Sequence, residues 1–245
     1  VKFGAACRAI LAGYRRALKQ GGVPFVLDER FLALRALAQG EDRSPARFWK
    51  KLTAVLSGPA VEPPPAVREA LIAALPVPDL QPWFRFRGQV GLGSLGRPRY
   101  LALAEWAGGW LAREAKASAP PATAWAAGRS GAASFAAAAV RRAIRCPDPF
   151  YRVDPGWVVR RLGPRCSRIE LDHLARARDL DRVLRAMGAE TANVHLGTPD
   201  VAAAIRADLA RRPDGWLEGL ARELFERVER DWNRWRKVYR RGGKK

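Results

Sequence analysis

Phe3, Cys7, Ile10, Leu11, Tyr14 and Leu18 recur at three- and four-residue spacing, which keeps one side of a helix apolar until Gly21-Gly22 ends it. Residues 28–39 repeat the pattern with Phe31, Leu32, Leu34 and Leu37, stopped by Gly40. Ser44-Pro45 supplies a hydroxyl cap and a proline at the first turn, opening a third helix with Phe48, Leu52, Val55 and Leu56 on one face. After a proline-rich connection over residues 58–65, Val67, Leu71, Ile72 and Leu75 predict a short fourth helix. The period then changes to two. Residues 83–90 and 99–106 alternate as half-buried strands, and Gly108-Gly109 turns the chain into a third strand over residues 110–118.

A proline- and alanine-rich passage follows, then a helix over residues 131–146 that Pro147 and Pro149 break. Residues 150–153 and 157–162 predict a second hairpin around Asp154-Pro155-Gly156. The remainder reads as helices over residues 170–187, 189–196 and 199–211, and a last one that starts at Pro213-Asp214. In that last helix Leu217, Leu220, Leu224, Val228, Trp235 and Tyr239 form the face expected to be buried. No internal repeat is visible. The pattern predicts an α+β protein, helical for the most part, with a small antiparallel sheet packed between N- and C-terminal helical layers. The segments expected are 1–82 for the first layer, 83–164 for the sheet with its glycine loop, and 165–245 for the second layer.

Composition narrows the classes. At 245 residues with 48% hydrophobic residues and nine tryptophans, the chain can bury a core and is not disordered. No apolar run reaches the ~18 residues that span a bilayer, and Val1-Lys2-Phe3-Gly4 does not read as a secretory leader. Cys7, Cys146 and Cys166 are odd in number and far apart, which argues for a reducing, cytoplasmic compartment and against a disulfide framework or a zinc site. Lys+Arg outnumber Asp+Glu by 44 to 24, a formal charge of +20 that would attract nucleic acid or another acidic partner. The basic residues are spread along the chain, however, and a GC-rich coding bias explains the excess of arginine, alanine, proline and tryptophan equally well. Val1 enters a helix without a cap, which reads as a chain that begins inside a domain.

The candidate chemistry lies between the first two strands, in Gly91-Leu-Gly93-Ser94-Leu-Gly96. A dinucleotide-binding fingerprint would need a helix next, and a Walker loop would need Gly-Lys-Ser/Thr; here Pro98 and a strand follow. What remains is a strand–loop–strand phosphate cover of the protein-kinase kind, with Lys116 on the third strand as the phosphate-pairing lysine. The alternative is a hairpin whose glycines only permit positive φ. A kinase site would hold that lysine with a glutamate from the next helix, and none occurs between Glu114 and Asp148. Glu114, two residues earlier on the same face, is the carboxylate expected to partner Lys116. His173 and His195 are the only histidines; His195 is a weak candidate base, and no metal-ligand spacing is present.

The run Val90-Gly91-Leu92-Gly93-Ser94-Leu95-Gly96-Arg97-Pro98-Arg99-Tyr100-Leu101 resembles a bacterial family, domain of unknown function 2252, with its Gly-x-Gly-Ser-Leu-Gly-x-x-Arg-Tyr. The resemblance continues at Ala115-Lys116-Ala117-Ser118, at Val158 to Pro164, at Ala192-Asn193-Val194-His195-Leu196 and at Glu229-Arg230-Asp231-Trp232. It departs at Ala117 and Arg161, where the family has glutamates, and at Gly197, where it has arginine. The resemblance implies a rearranged, kinase-like phosphotransferase architecture. Typical members carry a histidine/asparagine loop and an Asp-Phe-Asp motif upstream of the first helix, and neither is in this sequence. The chain thus resembles the family's C-terminal two-thirds, with the missing N-terminal segment as a further partner.

Together these readings predict a nucleotide- or phosphate-binding, kinase-like domain that is catalytically incomplete as it stands, using ATP and Mg. Its binding set is Gly91, Gly93, Ser94, Gly96, Arg99 and Lys116, supported by Glu114 and Arg160, with no metal ligands assigned. The alternative is a non-enzymatic basic module that binds nucleic acid or another acidic partner, and a third reading is a structural remnant. No membrane partner is expected.

Overall fold

The computed structural model describes residues 2–27, 29–38, 44–77, 79–87, 96–129, 135–166, 169, 171, 174 and 176–242, with side chains to 239. The chain forms two compact units, one of Phe25–His173 and one of Val1–Pro24 with Leu174–Lys245. Among the described residues no helix is long and apolar enough to cross a membrane. The architecture is α+β and mostly helical, with one antiparallel sheet and helices at both ends of the chain.

In the first unit, five strands form a sheet in the order β1-β2-β3-β5-β4: β1 Trp83–Phe86, β2 Arg99–Trp106, β3 Gly109–Ala117, β4 Arg152–Asp154 and β5 Trp157–Leu162. Directly opposed residues share a face. One face carries Ala102, Ala115 and Val159, packed against Val67, Leu71 and Ala74 at and just after α4 (Pro65–Ile72). The other carries Leu101, Leu103 and Ala112, packed against Leu52 of α3 (Pro45–Thr53) and the 3-10 turn after it. The Ser44 hydroxyl accepts from the Arg47 amide at 3.2 Å, and Pro45 opens α3, so that helix starts where its cap predicts. α2 (Leu32–Ala38) precedes it. The apolar residues on this second face occupy only one end of the strands. At the other end the alternation turns charged, through Arg99, Glu114, Lys116 and Arg160.

The hairpins keep their places with small shifts. The β2–β3 turn is Ala107-Gly108, one residue before the expected glycine pair, and both residues have positive φ (47° and 81°). Pro155-Gly156 turns β4 into β5, with Gly156 at φ 80°. β1 ends at Phe86; residues 88–95 lie outside the described residues. The helix expected over 131–146 is α6 (Ala136–Arg142), preceded by a short α5 (Ala122–Ala126), and residues 130–134 again lie outside the description.

The second unit is built on α1 (Phe3–Gln20) against α7 (Ala177–His195), with α8 (Val201–Arg211) and α9 (Trp216–Gly242). Small residues let α1 and α7 approach: Ala9, Gly13 and Ala17 recur every fourth position on α1, facing Gly188 and Ala192. A Cβ at Gly188 would overlap the Ile10 carbonyl, and one at Gly13 the Arg185 carbonyl. Gly188 therefore does not separate two helices, as its sequence position suggested; α7 runs through it because the glycine is where the backbones meet. Gly21, at φ 72°, closes α1 as predicted. Beyond it, the fully buried Asn193 side chain holds the chain: its Oδ1 accepts from the Val23 amide at 2.8 Å and its Nδ2 donates to the Val23 carbonyl at 2.9 Å. α9 has the amphipathic pattern read from the sequence, but from Leu220 onward its apolar face is exposed.

Candidate functional site

Arg99 opens β2, and Lys116 stands directly opposite it near the end of β3. Glu114, two positions earlier on β3, pairs across β5 with Arg160. The period of two puts all four side chains on one face of the sheet, at the end that α3 leaves uncovered. Arg87, which follows β1 and whose amide donates to the Arg99 carbonyl at 2.9 Å, joins them.

Glu114 is wholly buried, and three guanidinium groups surround its carboxylate. Arg87 Nη1 donates to Oε1 at 2.6 Å, and Arg99 Nη1 reaches the same oxygen at 3.5 Å. Arg160 closes on Oε2 with Nε at 2.8 Å and Nη2 at 2.7 Å. Burial by itself pushes this carboxyl upward, but the charges and hydrogen bonds of Arg160 and Arg87 outweigh it, so the acid lies below its ordinary range. A buried carboxylate so ringed is ionised and fixes the planes of its partners.

The expected Glu114–Lys116 pair is absent: the carboxylate is taken up by arginines, and among the described residues Lys116 makes no ion pair. The reason is geometric. Side chains two apart on a strand stand side by side, whereas Arg160 lies straight across from Glu114. Lys116 instead lines a cleft of about 360 Å³ with Arg97, Arg99, Arg160, Ser118 and Tyr151. Four of these six side chains are cationic and none is a carboxylate.

Of the other predicted positions, Gly91, Gly93 and Ser94 lie outside the described residues. Gly96 is described, in a left-handed conformation at φ 72°, and it delivers the chain to Arg97 and β2. His195 is in the other unit, at the end of α7, where Nδ1 and the Tyr14 hydroxyl hydrogen-bond at 2.7 Å. His173 is not among the described residues. Sequence reasoning missed Arg87, Arg97, Ser118 and Tyr151. Arg97 could have been found from its place directly after the glycine run; the others depend on register, which residue order does not disclose.

The arrangement can receive an anion. Guanidinium groups held in fixed planes match phosphate oxygens in pairs, and a lysine adds a mobile point charge. Among the described residues no cluster of histidine, cysteine, aspartate and glutamate could hold a metal ion. A comparison with protein-family models matches residues 44–238 to a family described as an uncharacterized protein conserved in bacteria (DUF2252). No match is found among curated proteins or among solved structures.

Proposed function

We propose that this chain, which belongs to that family of uncharacterized bacterial proteins, binds the phosphate groups of a nucleotide in the cleft at Arg99, Lys116 and Arg160, as a kinase-like nucleotide-binding domain. One observation carries the reading: Lys116 faces Arg99 across β2 and β3 and lines the same cleft as Arg160, while buried Glu114 anchors both arginines. The carboxylate turns two flexible side chains into a preorganised cradle, which lowers the ordering cost of binding. It also sits behind the arginines, so the cleft itself presents positive charge. Gly96, in a left-handed conformation at φ 72°, directly precedes Arg97, which lines the cleft.

The side chains fit polyphosphate. The described ones do not fit magnesium, which prefers carboxylate oxygens and bound water, since among the described residues the hydroxyls of Ser118 and Tyr151 are the only side-chain oxygens lining the cleft. No transfer step is therefore assigned to these residues, and direct cation–phosphate contact is the mode proposed.

Calorimetric titration with ATP, inorganic triphosphate and adenosine tests the reading. ATP and triphosphate are expected to bind, adenosine is not, and Lys116→Ala is expected to weaken triphosphate at least tenfold while the fold persists by circular dichroism. Equal binding of triphosphate by wild type and variant would overturn it. Binding of a single-stranded oligonucleotide in place of ATP, lost steeply as salt rises, would favour the alternative of a basic nucleic-acid module.

A further inference from the structure

α9 presents a long apolar face that no described residue of its own unit covers. Leu220, Leu224, Phe225, Val228, Trp232, Trp235, Val238 and Tyr239 are each between 52% and 70% exposed. At 3.6 residues per turn they fall within an arc of about 140°, along about 30 Å of helix, and Asp231 is the one charged residue of α9 placed inside that arc. Trp235 stacks on Trp232 at 5.1 Å and on Tyr239 at 5.0 Å, so the C-terminal half of the stripe is a continuous aromatic plate. An apolar surface of this extent on a charged helix marks an interface.

The charges beside the stripe select the occupant. Residues 216–231 contain five acidic and three basic side chains, whereas residues 232–241 contain five basic and no acidic ones. The helix is thus acidic at one end and strongly basic at the other. An anionic lipid surface would attract the second half and repel the first. A second copy laid antiparallel satisfies both halves at once.

The geometry points to antiparallel self-association of α9 as the solution interface of this protein. Centred on Val228, a two-fold axis lays the acidic half of each copy along the basic half of the other. It also lays the aromatic plate over the partner's Leu220 and Leu224, so large side chains meet smaller ones. Covering four half-exposed aromatics per copy removes on the order of 800 Å² from water, and the aliphatic positions carry the total past the roughly 1,000 Å² expected of a specific interface.

Sedimentation equilibrium of the full chain at micromolar concentration is expected to give a dimer. Trp235→Glu is expected to give a monomer with unchanged helix content. Arg234→Glu with Arg236→Glu should weaken the dimer at least tenfold. Orientation is read by oxidation in a Cys146→Ser, Cys166→Ser background. Val228→Cys should cross-link to itself, and Tyr239→Cys should not. A monomer at every concentration overturns the proposal, including one that binds anionic vesicles or nucleic acid through α9. So does a dimer indifferent to Trp235→Glu, or one that cross-links through Tyr239→Cys.

Discussion

Arg160 meets Glu114 side-on, with Nε and Nη2 both directed at one carboxylate oxygen, at 2.8 and 2.7 Å, across the β3–β5 ladder. The pair is the centre of the basic end of the sheet, since the second oxygen of the same carboxylate takes Arg87 and Arg99.

Replacing that carboxylate exposes its role. Glu114→Gln keeps the shape but removes the negative charge at the centre of a cage of guanidinium groups, and is expected to cost about 3–5 kcal/mol in urea denaturation. The acid response should change as well. The folded-state pKa lies below the ordinary value, so the carboxylate's contribution is fully present above the unfolded-state pKa. It is lost as pH falls through the folded-state value. The wild type should therefore lose stability below the ordinary carboxylate range, and Glu114→Gln should show a shallower acid slope over the same interval.

The α1–α7 crossing makes a sharp prediction about single methyl groups. Gly188→Ala puts a Cβ into the backbone of Ile10 and Tyr14, which side-chain adjustment cannot relieve. A loss of about 2–3 kcal/mol or more is expected, because the helices must move apart. Gly219→Ala, in open space on α9, is expected to gain up to about 1 kcal/mol from helix propensity. Chemical denaturation of the two variants side by side separates packing from propensity; equal effects would contradict the crossing.

Asn193 supplies both a donor and an acceptor to the backbone of Val23, from a position with no solvent exposure. Asn193→Ala is expected to cost about 2–4 kcal/mol, since two backbone groups lose their partner. Hydrogen exchange gives the local readout: the Val23 amide should lose protection well beyond the change in global stability.

Ala107 occupies a left-handed position at φ 47°, where a Cβ is disfavoured. Ala107→Asn or Ala107→Gly should raise stability by about 0.5–1 kcal/mol, because this two-residue hairpin turn prefers both residues. A lower melting temperature in both variants would show that the turn is not formed in solution.

Much of this could be read from residue order because it is local. The hydroxyl and proline that start α3, the glycine that ends α1 and the period-two strands each depend on neighbours a few positions away. The readings that changed depend on distant residues. Gly188 looks like a break until Ile10 is laid against it. Glu114 looks like the partner of Lys116 until the β3–β5 register sets Arg160 across from it. The stripe on α9 was visible, but periodicity shows only that a face is apolar, and its exposure emerged from the fold. Of the candidate site, Arg99, Lys116 and Arg160 line one cleft, while Gly91, Gly93 and Ser94 fall outside the described residues.

The unit that joins Val1–Pro24 to Leu174–Lys245 is interrupted by the whole of Phe25–His173. During synthesis α1 is made before the sheet unit, yet its partner helix α7 appears only after that unit has been made. Until then the small-residue face of α1 lacks α7, and most of a helix's stability in a protein comes from the packing of such a face. The inserted unit holds all the strands seen among the described residues and is free to fold first. The order of assembly is thus written into the connectivity: the sheet unit can close before α1, although α1 is made ahead of it, meets its partner helix.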